Sequence, residues 1–180
     1  MIRTLIALIA IFSLGSLGGP ALHAKPLEVG ATAPDVTGLD PDGNLVTFHD
    51  IYAKGITLVY FYPKAGTPGC TAEACSLRDS YDKLQAQGLQ IIGVSRDTGE
   101  AQKKFIADYK LPFTLIADAD GTVAQAFGVP MIQIKNGLIP VPVSERQSFI
   151  IKNGKIAWTS LHAQTKGSAE EVQKALDGLK

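Results

Sequence analysis

The two cysteines of the chain, Cys70 and Cys75, lie in the stretch "PKAGTPGCTAEAC", where four residues separate them. A thioredoxin-type redox pair has two intervening residues, a zinc-binding pair usually has two to four, and a structural disulfide normally joins distant segments. The spacing fits none of these sites well. What the two thiols do therefore depends on the element that carries them.

This element is predicted to be a helix that begins near Cys70, directly after the buried strand "ITLVYFYP", and ends at Gly88. Unpaired N–H groups and the positive end of the helix dipole favour a thiolate at Cys70, whereas Cys75 lies farther along and receives no such help. On a regular helix the two Cα atoms would be about 8 to 9 Å apart. Because a disulfide tolerates no more than about 7 Å, we expect Cys70 to react alone first, and the helix to unwind locally before the two sulfurs bond.

The other elements alternate between strand and helix after residue 25. The segment "VTGLDPDGNLVTFHD" is predicted to form two short strands, "LQIIGVSRD" and "FTLIAD" one strand each, and "GEAQKKFIADYKL" and "TVAQAFG" helices. The turn Asn153-Gly154 predicts a β-hairpin, and Ser168 with Glu171 predicts a capping box for the last helix. Residues 129–145 contain three prolines and no clear periodicity, so we expect a long loop there.

Composition limits the class of protein. The 180 residues are 46% apolar and 19% charged, which is enough for one well-buried core and too little for two ordinary domains. Seventeen basic residues balance seventeen acidic ones, so the chain has no overall positive field for nucleic acid or an anionic membrane. No glycine-rich phosphate loop is present, which argues against common nucleotide-binding sites.

The first 24 residues have the layout of a secretory signal peptide. Arg3 precedes an apolar run over residues 5–17, and small residues follow. We expect export to the periplasm or outside the cell, with residues 25–180 as one domain. Cleavage after Ala24 would place Leu22 where a small residue is preferred, so an uncleaved anchor is the alternative. Export implies an oxidising compartment, in which a cysteine pair becomes oxidised unless something reduces it.

The stretch "YFYPKAGTPGCTAEACSLRD" resembles the signature of the peroxiredoxins, in particular the peroxiredoxin Q or bacterioferritin-comigratory-protein group. The family motif of Pro, three residues, Thr, two residues and Cys is met by Pro63, Thr67 and Cys70. Arg146, just before the strand "SFII", matches a further family element, and "VGATAPD" resembles the family's usual opening. The resemblance extends from about residue 27 onward.

This resemblance implies an α/β, thioredoxin-like fold, with a central mixed sheet flanked by helices and an N-terminal hairpin. It implies that Cys70 attacks hydrogen peroxide or an organic hydroperoxide and becomes a sulfenic acid. Cys75 would then form an intramolecular disulfide with it, and an external dithiol such as thioredoxin would reduce that bond. No cofactor and no metal is implied. Since no third cysteine exists for resolution between subunits, we expect a monomer.

The same resemblance suggests which groups assist Cys70. Thiolate formation alone yields only a small gain in rate, because nucleophilicity falls together with the pKa of a thiol. Stabilisation of the transition state must supply the rest, and the available donors to the peroxide oxygens are Arg146, the Thr67 hydroxyl and N–H groups near Gly69 and Cys70. Pro63 would shield the pocket from water.

Simpler roles compete with these assignments. Thr67 is alternatively a turn or helix-cap residue, and Arg146 a surface arginine. Glu73 is interpreted as a favourable acidic residue in the first helical turn, in preference to an acceptor for Arg146. Two rival functions also stay open: a protein thiol-disulfide oxidoreductase, and an exported thioredoxin-fold module in which both cysteines and His162 hold copper. The copper modules have three residues between their cysteines, and they have no need of the proline, threonine or arginine.

Overall fold

The computed structural model of the protein describes residues 26–136 and 139–179. The predicted signal peptide, residues 1–24, lies outside the described residues, so it stays a prediction. Within the described ranges, no helix combines the length and the apolar character that crossing a membrane requires.

The described residues form strands and helices that alternate along most of the chain. In chain order they are β1 Thr37–Leu39, β2 Leu45–Thr47, α1 Phe48–Tyr52, β3 Ile56–Phe61, α2 Pro68–Asp79, α3 Tyr81–Gln85, β4 Leu89–Ser95, α4 Gly99–Tyr109, β5 Thr114–Ala117, α5 Thr122–Ala126, β6 Met131–Asn136, β7 Ile139–Ser144, β8 Gln147–Lys152, β9 Lys155–Ser160 and α6 Ser168–Asp177.

The central sheet has five strands in the order β5-β4-β3-β8-β9. Strands β3, β4 and β5 are parallel, whereas β8 runs antiparallel to β3 and β9 antiparallel to β8. In the middle, Val59 lies opposite both Ile92 and Phe149. A strand covered on both faces is apolar at successive positions, which explains why "ITLVYF" shows no alternation. The predicted mixed sheet flanked by helices is confirmed.

Successive residues of β3 point to opposite faces of the sheet and into two separate cores. Leu58 and Tyr60 belong to the α2-side cluster, which also contains Tyr62, Cys70, Ala74, Leu77, Leu84, Phe105, Phe113, Val172 and Leu176. Val59 and Phe61 belong to the opposite cluster, which also contains Phe48, Ile92, Ile116, Val123, Phe127, Phe149 and Ile151. The helix that carries both cysteines therefore covers only one face of the sheet.

Both predicted hairpins are present. Strands β1 and β2 pair antiparallel, which gives the expected N-terminal hairpin. Between β8 and β9, Asn153 and Gly154 have φ angles of 54° and 70°. A two-residue type I′ hairpin turn requires positive φ angles at both residues, and Asn-Gly adopts them readily.

The prediction of a long loop over residues 129–145 is wrong, because this region contains a third hairpin, β6–β7. On β7, Pro140 lies opposite Lys135 of β6, and Pro142 lies opposite Gln133 of β6. Proline disfavours a strand because it cannot donate a ladder hydrogen bond. A spacing of two residues, however, places both prolines at positions whose N–H would point away from β6, so the pairing survives.

Two helix details also differ from the prediction. The helix that begins at Pro68 ends at Asp79, because Ser80 has φ −107° and ψ 5°, and α3 follows as a separate helix. The capping box of α6 is wrong: Gly167 is the N-cap residue, and no side chain caps the helix. Glu171 instead accepts hydrogen bonds from the Ser160 hydroxyl at 2.6 Å and the Gln164 N–H at 3.0 Å.

Candidate active site

Cys70 lies in the first turn of α2, as the sequence predicts. Thr67 is the N-cap residue, with an extended backbone at φ −76° and ψ 150°, and Pro68 occupies the first helical position. Proline suits this position because its missing N–H has no intrahelical acceptor there. The Cys70 side chain is 1% exposed. A buried sulfur therefore lies beside N–H groups that the helix itself leaves unpaired.

Arg146 reaches this sulfur from the neighbouring strand. It directly precedes β8, whose first residue Gln147 pairs with Phe61 at the end of β3. Because α2 begins just after β3, the antiparallel pairing brings Arg146 to the start of that helix. Its Nη2 donates a hydrogen bond to the Cys70 sulfur over 3.2 Å. The alternative of a surface arginine is wrong.

Glu73 holds the other arm of the same guanidinium. Arg146 Nη1 donates to Glu73 Oε2 in a salt bridge, and Glu73 is 0% exposed. Glu73 follows Cys70 by three positions on α2, so both side chains lie on one face of the helix. Its interpretation as a favourable first-turn acidic residue is wrong, and the acceptor role is the one observed. Sequence reasoning undervalued Glu73 because nothing local distinguishes a buried from a solvated glutamate.

Burial and charge act in opposite directions on this pair. Burial raises the pKa of the Glu73 carboxyl to about 8, although the charge and hydrogen bond of Arg146 oppose the rise. Burial lowers the pKa of Arg146, but the nearby Glu73 and Cys70 outweigh it, so the net shift is upward and the guanidinium stays charged. Arginine has five N–H donors. Bonds to one sulfur and one carboxyl oxygen therefore leave donors for a peroxide oxygen.

The structure places Thr67 and Pro63 in the segment that joins β3 to α2. The Thr67 hydroxyl donates to the Lys64 carbonyl over 2.8 Å and makes no helix-cap hydrogen bond. The single hydroxyl hydrogen thus stabilises the turn before the helix, and donation to a substrate requires the hydroxyl to rotate. Pro63 is half-buried, and its shielding role stays a prediction.

Gly69 lies close to both the Arg146 guanidinium and Thr165. A Cβ atom added at Gly69 would be 3.5 Å from Arg146 Nη2 and 3.5 Å from Thr165 Cγ2. Thr165 lies in the connection between β9 and α6. No signal in the sequence pointed to it, because it lies close to Gly69 only through the packing of α6 on α2. This connection therefore forms part of the rim of the site.

Cys75 lies on the same helix, half-buried, and both cysteines are free thiols. Arg78 follows Cys75 by about one helical turn, and the pKa of Arg78 is raised chiefly by its hydrogen bond to Asp79 and additionally by Cys75. Arg78 also donates to the Tyr109 carbonyl over 2.7 Å. An arginine therefore lies beside the second thiol on the same helix.

The described part of the chain contains no group of three or more His, Cys, Asp and Glu side chains that could hold a metal ion. The copper module had required Cys70, Cys75 and His162 as such a group. The geometry thus gives that alternative no support.

Comparison with known proteins agrees with this geometry. A sequence model of the AhpC/TSA family matches residues 29–159. The chloroplastic peroxiredoxin Q of Sedum lineare is 37% identical over 153 residues, which cover 84% of this chain and 78% of the plant protein.

Two solved structures are also similar. Peroxidoxin BcpB from Mycobacterium tuberculosis has a TM-score of 0.75 and 28% identity, covering 86% of this chain and 99% of that one. The bacterioferritin comigratory protein of Xanthomonas campestris, whose structures concern alkyl peroxide reduction, has a TM-score of 0.73 and 26% identity, covering 84% and 99%. The chain therefore belongs to the AhpC/TSA family, as a thioredoxin-fold thiol peroxidase of the peroxiredoxin Q and bacterioferritin-comigratory-protein group.

Proposed function

We propose that Cys70 is the nucleophile that reduces hydroperoxides. The observation that carries this proposal is the 3.2 Å hydrogen bond from Arg146 to the Cys70 sulfur at the start of α2. The thiolate attacks one peroxide oxygen, an S–O bond forms and the O–O bond breaks. The second oxygen takes up a proton and leaves as water or an alcohol, while Cys70 is oxidised to the sulfenic acid.

Charge develops on the departing oxygen as the O–O bond lengthens, and fixed donors near it lower the barrier. The remaining N–H groups of Arg146 and the first N–H groups of α2 are the nearest such donors. Because Glu73 already holds the guanidinium, little reorganisation is needed when the peroxide arrives. Pro63 and Thr67 belong to the proposed site because they lie in the segment between β3 and α2, which positions Cys70.

Cys75 is proposed to resolve the sulfenic acid. Its thiolate attacks the Cys70 sulfur, the S–O bond breaks, and hydroxide leaves as water after taking a proton. Both residues lie on α2, and a regular helix would hold their Cα atoms about 8 to 9 Å apart. The disulfide therefore forms in a locally unwound state of the helix, and an external thioredoxin-like dithiol then reduces it.

The proposed substrates are hydrogen peroxide and organic hydroperoxides. The reported alkyl peroxide reduction of the Xanthomonas campestris relative supports the organic class. Resolution within one chain needs no partner subunit, which supports a monomer.

Export is also part of the proposal. The positive residue, the apolar run and the small residues within positions 1–24 support it. The reductant must then be an exported dithiol protein, because cytosolic thioredoxin does not reach that compartment.

Mass spectrometry of the full chain tests the proposal. Reduced protein is mixed with less than one equivalent of hydrogen peroxide or of cumene hydroperoxide, quenched at increasing times and digested. We expect a sulfenic acid at Cys70 first, followed by a Cys70–Cys75 disulfide that a thioredoxin removes. Oxidation that bypasses Cys70, or no oxidation within seconds, would refute the assignment.

A further inference from the structure

A ring of hydrogen bonds anchors both ends of a short segment that precedes α2. The Tyr62 hydroxyl, directly after β3, donates to Gln102 Oε1 over 3.1 Å. The Gln102 amide donates to the Ser95 hydroxyl over 3.0 Å, and Ser95 donates to Asp97 Oδ2 over 2.8 Å. The same Asp97 oxygen accepts the Ala65 N–H over 2.7 Å. The backbone between residues 62 and 65 closes the ring.

Most of this ring is buried, because Tyr62 and Ser95 are 0% exposed and so is Gln102. Buried polar groups are costly unless they are paired, and apolar side chains would fill the same space without that cost. A ring in which every described side chain has a partner instead fixes the relative positions of its members. Here the members come from the end of β4, from α4 and from the segment before the Cys70 helix.

Asp97 is the member that contacts this segment directly. A carboxylate that accepts a main-chain N–H forms a stronger and shorter bond than a neutral acceptor does. Five residues after Ala65 comes Cys70. Between them, Gly66 has a φ of 74° and Thr67 donates back to Lys64. Because this turn is short and hydrogen-bonded, a shift of residue 65 would also displace the start of α2.

The geometry of the site depends on the position of the first turn of α2, because this turn carries Cys70. Arg146 approaches Cys70 from the β8 side of the sheet, whereas the ring fixes the segment from the β4 side. Peroxide reduction needs the sulfur and the guanidinium donors to face the same pair of oxygen atoms. A misplacement of about 1 Å can cost a reaction about 100-fold in rate.

We propose that Asp97 is a positioning residue for peroxide reduction, which sets the relation of Cys70 to Arg146 by holding the Ala65 N–H. This inference rests on the proposed role of Cys70. Asp97 itself contacts neither Cys70 nor Arg146 through any described hydrogen bond and acts only through the segment at residues 62–67.

The test compares two reactions of Cys70 in each variant. Peroxide reduction needs the positioned donors, whereas alkylation by iodoacetamide needs a thiolate and access to the sulfur but no positioned donor. Asp97→Ala should slow the peroxide reaction by about 10- to 100-fold, while alkylation is unchanged or faster. Asp97→Asn keeps an oxygen acceptor and should restore most of the peroxide rate.

Asp118→Ala is the matched control. Asp118 is a buried carboxylate that, like the half-buried Asp97, accepts main-chain N–H groups; its partners are Val123 and Ala124, both at 2.9 Å, at the start of α5. Its loss should lower the melting temperature and leave both rates of Cys70 as they are in the wild type. A merely structural role of Asp97 would make Asp97→Ala behave in the same way.

The inference is overturned if Asp97→Ala leaves the peroxide rate unchanged or lowers both rates equally. If Asp97→Ala does not fold, Tyr62→Phe carries the test, because it opens the ring at its other end while keeping the aromatic ring. Its peroxide rate should fall selectively, and an unchanged rate overturns the inference. Failure of the proposed function looks different, since the wild-type protein would then show no rapid reaction of Cys70 with peroxide.

Discussion

The guanidinium of Arg146 donates a hydrogen bond to the sulfur of Cys70 over 3.2 Å, although 76 positions separate the two residues in the chain. The contact exists because β8 pairs antiparallel with β3, so that the start of β8 meets the end of β3. The other arm of the guanidinium is held by the buried Glu73. The sheet therefore delivers the cation, and the helix delivers both the sulfur and the anchor.

Replacing either cysteine should separate the two steps of the reaction. Cys70→Ser should abolish turnover, because it removes the nucleophile. Cys75→Ser should leave the first peroxide attack intact and accumulate sulfenic acid, which dimedone labelling with mass spectrometry detects. Loss of the first-turnover burst in Cys75→Ser would contradict this division of labour.

Arg146→Ala should slow the reaction with hydrogen peroxide by about 10²- to 10³-fold, as expected for the loss of a donor to a developing charge. The thiolate fraction, followed by its ultraviolet absorbance, should change far less than the rate. Arg146→Lys keeps the charge but loses the two-armed geometry, so its rate should be intermediate. A rate that simply tracks the thiolate fraction would contradict the role of Arg146 as a transition-state donor.

The raised pKa of Glu73 should make stability depend on pH. With a folded-state pKa of about 8 against an ordinary value of 4.5, the folded protein holds a proton that the unfolded chain has lost between these values. The free energy of unfolding should therefore fall as pH rises through this window. The side chain of Glu73→Gln cannot titrate. Its free energy of unfolding, measured with urea, should therefore rise relative to that of the wild type between about pH 5 and about pH 8.

The exposed Glu170 on α6 provides a control for that comparison. Glu170→Gln should follow the wild-type pH dependence. If the difference between Glu73→Gln and the wild type stays constant across the window, Glu73 does not titrate there.

Gly93→Ala should destabilise the protein by about 1 to 3 kcal/mol through overpacking. The added Cβ would lie 2.6 Å from Leu115 Cδ2 and 2.7 Å from the Tyr60 hydroxyl, and both side chains are fully buried. Gly178→Ala is the control, because Gly178 has a helical backbone and its Cβ would come no closer than 3.4 Å to any atom beyond its chain neighbours, the nearest being the Ala175 carbonyl oxygen. Thermal unfolding measures both variants, and equal melting temperatures would show that the core around Tyr60 adjusts freely.

Local signals in the sequence were enough to predict the central strand, the helix that carries Cys70 in its first turn and the turn at Asn153. Apolar runs, helical spacing of apolar residues and Asn-Gly act over a few residues, so they can be read without tertiary structure. The role of Arg146 beside Cys70 was predicted only because the arginine before β8 matches a family element.

Features that depend on distant contacts were missed. The burial of Glu73 follows from its partner Arg146, and the role of Asp97 follows from an N–H group 32 positions away. The hairpin β6–β7 was missed because its prolines are unfavourable for a strand in general but tolerated at alternate positions. None of these can be inferred from the residue types in a short window.

The division of the core into two clusters has a consequence for the catalytic cycle. Cys70, Ala74 and Leu77 belong to the α2-side cluster, whereas the opposite cluster contains neither cysteine. In the proposed cycle, the unwinding of α2 that precedes each disulfide would disturb the packing of these side chains, and reduction would restore it. The opposite cluster would serve as an undisturbed foundation, so the proposed cycle confines partial unfolding to one face of the sheet.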